Sequence, residues 1–223
     1  MARDVVGMSA PVGETTYGIG AGLVPSTARS EIFWHVKRLA DIAVSVIALP
    51  VLLLGAVVLY VVNKRYNPGP LFFVQERMGR DQKTFNLIKF RSMAPSDKVR
   101  GADDPLENDR ITPVGLFIRR TRVDELPQFI NILKGEMSLI GPRPDMTGHS
   151  LAYLRLIPDY RHRFAVRPGI TGLAQTTVGY AEGVEATRLK AQADAAYVGN
   201  ASYALDAKIL LLTVLTILKL CGK

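Results

Sequence analysis

A short stretch of the chain combines two adjacent carboxylates with arginines, the residue types that handle phosphate groups. Its members, in order, are Arg119, Asp124, Glu125, Pro142, Arg143 and Pro144. Arginine can bind phosphoryl oxygens through two parallel hydrogen bonds. A carboxylate can ligate Mg²⁺ or attack phosphorus as a nucleophile. The residue types therefore suit a site that binds and cleaves a phosphate ester.

The same residues have a simpler structural interpretation. Asp124 precedes Pro127 and an apolar segment that stops at Gly135, so it is a natural N-cap for a helix. Glu125 would then complement the helix dipole, and the arginines would form a solvated face. Arg143 is held between two prolines, and could equally pair with a core carboxylate. Spacing alone leaves both interpretations open.

Composition favours an anionic partner. The 223 residues include 28 Lys and Arg against 20 Asp and Glu, a net charge of +8. Lipid headgroups, nucleotide phosphates and nucleic acid would all suit this excess. One cysteine, Cys221, excludes an intrachain disulfide, and the length suits one domain with or without an anchor.

A long apolar segment precedes these residues and is a candidate membrane anchor or core helix for the domain that carries them. Residues 42–62 carry no charge, and as a helix they would cover roughly 30 Å, enough to cross a bilayer core. Pro50 near the middle predicts a bend. Basic residues flank both ends, whereas a spanning helix usually shows charge asymmetry. A re-entrant helix that bends at Pro50 and a simple span both fit the segment.

The remaining chain reads as a small mixed domain. Strands at 71–74 and 84–90 form a hairpin through residues 79–82, and a polar surface loop covers 95–109. Helical periodicity is expected around Ile118 and over 182–198. The apolar run 209–218 is too short to span a bilayer, and fits a core helix or an interfacial one. Residues 1–30 read as a disordered extension without a signal peptide.

Ordered motifs over roughly residues 33–220 resemble the bacterial sugar transferases, the monotopic polyprenyl-phosphate phosphoglycosyl transferases that prime exopolysaccharide and O-antigen synthesis. The motifs occupy residues 37–41, 69–73, 75–79, 89–93, 110–115, 124–128, 131–144, 167–172 and 205–210. The long block from Asp124 to Pro144 is the most specific of them. So many ordered matches outweigh any single motif.

The resemblance implies an α/β fold: a small membrane-associated α/β domain with a re-entrant, proline-broken membrane helix and amphipathic interfacial helices. Residues 1–30 would be the extension, 31–66 the re-entrant helix bent at Pro50, and 67–223 the cytoplasmic catalytic domain with a C-terminal interfacial helix. The expected location is the cytoplasmic face of the bacterial inner membrane. Without further N-terminal spans, the chain is expected to be a minimal catalytic form.

The resemblance also implies a reaction. Asp124 would attack the β-phosphate of a UDP-sugar, releasing UMP, and polyprenyl phosphate would then take the phosphosugar from the enzyme. Glu125, with Asp124, would hold Mg²⁺ or assist proton transfer. Residues expected to bind substrate phosphates or shape their site are Lys89, Arg91, Arg119, Pro142, Arg143 and Pro144.

The sequence departs from the family pattern at two places, and two other functions compete with sugar-phosphate transfer. Leu49 stands where some members carry serine before the proline, and residues 176–180 lack a common Asn/Gly/Arg-rich sequence, which leaves the sugar open. The expected partners are a UDP-sugar, polyprenyl phosphate and membrane lipids, with a homodimer allowed and no nucleic acid. A catalytically inactive membrane scaffold is the first rival. A nucleic-acid binder, suggested only by charge, lacks a supporting motif.

Overall fold

The computed structural model of the chain describes residues 30–94, 110–179 and 183–218. The predicted N-terminal extension, up to residue 29, and the predicted polar loop at 95–109 lie outside these ranges. Both stay predictions.

Helix α1, Glu31–Tyr66, dominates the N-terminal part. The Ser30 hydroxyl caps it by accepting the Phe33 N–H at 3.4 Å, and Lys64 and Arg65 lie in its last turn. The helix continues through Pro50, so the proline does not end it. The predicted bend and membrane dip stay predictions.

One face of α1 packs on the rest of the protein along nearly its whole length. The buried positions recur at intervals of four or seven residues: Phe33, Lys37, Asp41, Ser45, Leu52, Leu59 and Asn63. Its other faces remain apolar and exposed, with Ile47 at 75% and Leu53 at 67% exposure. Among the described residues, α1 is long and apolar enough to cross a membrane by length and composition.

Two small sheets organise the rest. Strands β1, Phe72–Met78, and β2, Thr84–Phe90, pair antiparallel, with Phe72 opposite Phe90 and Met78 opposite Thr84. This confirms the predicted hairpin, with a first strand that extends further than expected. Strands β3, Ser138–Ile140, and β4, Gly169–Thr171, pair parallel.

Helices surround the sheets. They are α2, Pro113–Arg120; α3, Gln128–Lys134; α4, Thr147–Leu156; α5, Leu173–Thr177; α6, Val184–Asn200; and α7, Tyr203–Leu218. Short 3₁₀ helices cover Arg80–Gln82, Val123–Glu125 and Pro158–Ala165. The mixture confirms an α/β domain, and α6 confirms the helix expected over 182–198. Like α1, α7 leaves much apolar surface exposed, including Leu211 at 60% and Leu218 at 72%.

Glycines permit a close backbone approach beside β3 and β4. A Cβ on Gly169 would lie 2.2 Å from the backbone N of Gly141, and one on Gly172 would lie 2.2 Å from the Gly141 oxygen. Side chains cannot fit at such distances. The contact fixes where the chain leaves β3, immediately before the turn that carries Arg143.

Helix α1 contributes to two separate hydrophobic cores. Phe33 packs in a cluster with Tyr197 of α6 and Ile209 of α7. Leu52 and Leu59 pack in another cluster. Burial of side chains of this size contributes roughly 1.5–3 kcal/mol each. The apolar helix is therefore built into the domain at both of its ends.

Candidate active site

A tight turn between α2 and α3 presents the two adjacent carboxylates. Val123–Glu125 forms a 3₁₀ helix, preceded by Arg122 in the left-handed conformation at φ 58°. Helix α3 begins later, with Pro127 at its N-cap position and no side-chain capping bond. The prediction that Asp124 caps this helix is therefore wrong, because the separate turn directs its side chain elsewhere.

Glu125 is surrounded by cations. Its Oε1 accepts a hydrogen bond from Arg143 Nη2 and lies 3.5 Å from Lys89 Nζ and 3.6 Å from Arg122 Nη1. Burial alone would raise the pKa of Glu125, but the charges of Arg143 and Lys89 outweigh burial and lower it to about 2. Glu125 is therefore ionised at neutral pH, and its negative charge is balanced by the neighbouring cations.

Asp124 has a contrasting environment. It is 8% exposed, and within the described part of the chain its buried Oδ1 has no hydrogen-bond partner. Burial raises its pKa to about 6, with Lys89 opposing the shift and Glu125 reinforcing it. A carboxylate that is ionised at neutral pH, yet poorly stabilised, is basic enough to attack an electrophile.

The turn between β3 and α4 places Arg143. Arg143 donates from Nη1 to the Ile170 carbonyl at 3.0 Å and from Nη2 to Glu125. The Pro142 carbonyl accepts the Gly169 N–H at 3.0 Å, which fastens the turn to β4. The interpretation of Arg143 as the partner of a buried carboxylate is confirmed. That carboxylate belongs to the candidate site itself.

A second set of contacts holds this turn from the opposite side. Arg163 Nη2 donates to the Arg143 carbonyl at 2.6 Å, and Arg163 Nη1 pairs with Asp145. Arg77 Nη1 donates to the Pro144 carbonyl at 3.1 Å. Sequence reasoning missed both arginines as supports of the turn. Arg77 had a detectable signal, because it lies within the family-like motif at 75–79.

The structure separates the two basic residues near the end of β2. Lys89 lies beside Glu125, and burial lowers its pKa to about 8. Arg91 is instead buried among structural groups, with bonds to the Pro70 carbonyl at 2.7 Å and Asn67 Oδ1 at 2.8 Å. Arg91 therefore fastens the end of α1 to the hairpin and is not brought to the carboxylates, unlike the role expected for it.

Arg119 and Gln128 also lie close to the two carboxylates or to the cations that surround them. Arg119 lies in the last turn of α2, close enough that its charge lowers the pKa of Asp124. Gln128, which sequence reasoning also missed, is 1% exposed and its Nε2 lacks a partner among the described residues. A cavity of about 10 Å³ is lined by Gln128 together with Arg77, Lys89 and Arg143.

The carboxylates of Asp124 and Glu125 are of the ligand type that magnesium takes when it arrives with a phosphate. Among the described residues there is no group of three metal-binding side chains. Mg²⁺ often takes only one or two carboxylates, and fills its other positions with waters and substrate phosphates. The unpartnered Oδ1 of Asp124 is available as a ligand, whereas Glu125 Oε1 is already engaged by Arg143.

Residues 32–220 match the family model described as bacterial sugar transferase. Among curated relatives, the chain is similar to an exopolysaccharide production protein, PSS, of Rhizobium leguminosarum bv. phaseoli. The two are 40% identical over 187 residues, which cover 81% of this chain and 94% of that protein.

Two longer relatives are named as transferases. The UDP-N-acetylgalactosamine-undecaprenyl-phosphate N-acetylgalactosaminephosphotransferase of Aeromonas hydrophila is 45% identical over 85% of this chain and 45% of its own length. The UDP-glucose:undecaprenyl-phosphate glucose-1-phosphate transferase of Escherichia coli is 40% identical over 87% of this chain and 43% of its own length. The chain thus spans less than half the length of these two relatives.

Proposed function

The chain belongs to the bacterial sugar transferase family, and on that premise we propose that it transfers a sugar phosphate from a UDP-sugar to polyprenyl phosphate, with release of UMP. One observation carries the proposal. Asp124 is a buried carboxylate with a raised pKa and an unpartnered oxygen, and it adjoins the cation-neutralised Glu125. The relatives named as undecaprenyl-phosphate transferases support the same reaction class.

The proposed reaction proceeds in two displacements at one phosphorus atom. An oxygen of Asp124 attacks the β-phosphorus of the UDP-sugar. The bond from that phosphorus to the bridging oxygen breaks, and UMP leaves with the electron pair. A phosphate oxygen of the polyprenyl phosphate then attacks the aspartyl phosphosugar. This attack restores the carboxylate and forms polyprenyl diphosphosugar.

The neighbouring cations bind and orient the phosphates in this proposal. Arg143 approaches the carboxylates from the turn between β3 and α4, and Lys89 approaches them from β2. Arg119 adds positive charge from α2. Fixed positive groups stabilise charge that develops on phosphoryl oxygens without reorganising during the reaction. Asp124 and Glu125 would hold Mg²⁺, which supplies further positive charge to those oxygens when bound.

The apolar surfaces support a position at a membrane. Exposed side chains such as Ile47 and Leu53 on α1 and Leu211 on α7 would be costly in water, and a bilayer would cover them. Cations at both ends of the apolar stretch favour a helix that enters and leaves the same, cytoplasmic, face of the inner membrane. Such a position brings the site to the headgroup of a lipid-linked acceptor.

The test is nucleotide release by the purified protein with Mg²⁺, polyprenyl phosphate and a panel of UDP-sugars, beside Asp124→Asn. We expect UMP from the native protein with at least one donor, and none from the variant. Without the lipid acceptor, the native protein should gain the mass of one phosphosugar, which maps to Asp124.

Two other outcomes would contradict the proposal. Release of UDP would indicate ordinary glycosyl transfer, in which a different bond of the donor breaks. No nucleotide from any UDP-sugar, with the protein shown to be folded, would favour the non-catalytic scaffold. The donor that gives UMP would also identify the sugar.

A further inference from the structure

A cavity lies away from the candidate active site, beside the N-terminal half of α1. Its volume is about 110 Å³, whereas one water molecule occupies about 30 Å³ of liquid. Arg38 in its wall donates hydrogen bonds to the carbonyls of Ile132 and Leu133, in the last turns of α3. Asp124 precedes the start of α3. The two sites are therefore at opposite ends of this helix.

The wall of the cavity concentrates positive charge. Arg38, Arg80 and Arg167 all line it. Because the three share one cavity wall, burial and the nearby charges of Arg38 and Arg80 lower the pKa of Arg167. Such mutual repulsion is relieved when an anion binds among the arginines.

The other charged groups at the cavity offset only part of this positive charge. Lys37 is paired with Asp206 of α7 at 2.6 Å, so its charge is already compensated. Asp41 is the carboxylate in the wall, and its Oδ1 accepts the Leu139 N–H at 3.0 Å. Arg80 in turn is paired with Asp81, since its Nε lies 3.3 Å from Asp81 Oδ2. Three arginines against Asp41 and Asp81 leave an excess of one positive charge.

An unpartnered donor lines the same cavity. The indole Nε1 of Trp34 is buried, and no group in the described part of the chain accepts its hydrogen bond. A buried indole N–H normally finds an acceptor, because leaving it unpaired costs free energy. An anion held by the arginines would supply an oxygen for this bond.

We propose that this cavity binds the phosphate headgroup of an anionic phospholipid. Trp34 and Arg38 immediately precede the apolar stretch that begins at Ile42, which places the cavity at the level where α1 would meet the headgroups. Basic pockets beside membrane helices on the cytoplasmic side recognise lipid phosphates in this way. The inference does not rest on sugar-phosphate transfer, since the cavity shares no lining residue with the Asp124 site.

Trp34 allows this site to be monitored directly, because it is the single tryptophan of the chain. The full chain would be placed in phosphatidylcholine nanodiscs with increasing phosphatidylglycerol, and its tryptophan emission recorded. We expect a saturable change in emission. Replacing Arg80 and Arg167 by glutamine should raise the half-saturating phosphatidylglycerol fraction about five-fold for each arginine.

Arg188→Gln is the matched control. Like Arg80→Gln, it removes one positive charge from an exposed arginine that pairs with a neighbouring carboxylate. Because Arg188 lies on α6 and pairs with Glu185 outside the cavity, the variant should leave the titration unchanged. If Arg80→Gln/Arg167→Gln does not fold, Arg80→Gln alone tests the proposal, because that side chain is 51% exposed. The Asp124→Asn protein should respond like the native one, which separates this test from the test of transfer.

Three results would overturn the inference. An equal response from the native protein and the arginine variants would show general surface attraction without a specific site. An equal response to inorganic phosphate in discs of phosphatidylcholine alone would assign the cavity to a soluble phosphate. Emission that does not change with phosphatidylglycerol would show that the cavity does not take this headgroup.

Discussion

Asp124 and Glu125 are neighbours in the chain, yet the pKa values of their carboxylates are shifted in opposite directions. The pKa of Asp124 is raised to about 6, chiefly by burial, whereas cations outweigh burial and lower that of Glu125 to about 2. Ion pairing stabilises a carboxylate and weakens it as a nucleophile. We therefore expect Asp124 to be the reactive carboxylate of the pair and Glu125 to position the surrounding cations.

The first prediction concerns pH. Asp124 must be ionised to attack, so single-turnover UMP release without lipid acceptor should rise about tenfold per pH unit below about pH 6 and then level off. Above pH 8 the rate should fall, because Lys89, whose pKa is about 8, loses its charge. Lys89→Arg should extend the plateau upward without moving the lower limb. A rate independent of pH from about 5 to about 8 would contradict these assignments.

The second prediction concerns Glu125→Gln. We expect a loss of about a hundredfold in the rate of UMP release, because Arg143 and Lys89 lose the charge that positions them. The lower limb of the pH profile should also move to lower pH, since the Glu125 charge helps to raise the pKa of Asp124. Glu185→Gln, at an exposed carboxylate of α6, is the control. An unshifted limb would mean that the two carboxylates do not interact.

The third prediction separates Lys89 from Arg91. Lys89→Met should reduce transfer with little change in the melting temperature, because Arg143 still neutralises Glu125. Arg91→Met should cost about 2–4 kcal/mol of stability, because it leaves the buried acceptors Asn67 and Pro70 unpaired. Thermal unfolding and UMP release, measured on both variants, check this. If Arg91→Met folds as stably as the native protein but binds UDP-sugar poorly, Arg91 contacts substrate after all.

A fourth prediction concerns the ion pair between α1 and α7. Lys37 Nζ lies 2.6 Å from Asp206 Oδ2, and Tyr197 donates to Asp206 Oδ1 at 2.8 Å. Lys37→Met removes the cation that pairs with the partly buried Asp206 carboxylate, to which Tyr197 still donates, and should destabilise the protein by about 1–3 kcal/mol. Lys37→Met/Asp206→Leu should recover part of that loss. Asp206→Leu alone completes the cycle. If the double variant loses as much unfolding free energy as the two single variants together, the two residues are not coupled.

The fifth prediction concerns the path of α1. In a Cys221→Ser background, single cysteines at positions 30 and 66 mark the two sides of the helix. If α1 dips into the membrane and returns, a membrane-impermeant thiol reagent should label both cysteines from the cytoplasmic side and neither from outside. Labelling of the two from opposite sides would establish a span. Pro50→Leu in the same background tests whether the proline is needed for the dip.

Local patterns were enough to predict several elements. Alternation and turn residues predicted the β1–β2 hairpin, and helical periodicity predicted α6. Residue types identified Asp124, Glu125 and Arg143 as the chemically notable group. These signals act over a few residues, so they survive without knowledge of the tertiary structure.

Contacts between distant parts of the chain could not be predicted in this way. Arg143 meets Glu125 across 18 positions, because β4 and the glycine contacts at Gly141 place its turn. Lys37 and Asp206 are 169 positions apart. Arg91 has the same charge as Lys89 and lies in the same motif. Only the packing shows that Arg91 bonds to Asn67 and Pro70, whereas Lys89 lies beside Glu125.

The packing of α1 has a consequence for modularity. Its residues supply Phe33 to one core and Leu52 to another, and Arg91 binds the chain just beyond its end at Asn67. We therefore expect that a truncation that begins after Tyr66 would not give a stable, soluble domain. It would remove α1 side chains that pack in both hydrophobic clusters and expose the two clusters to solvent. We therefore expect that α1 and the rest of the domain can be exchanged between related proteins only as one unit.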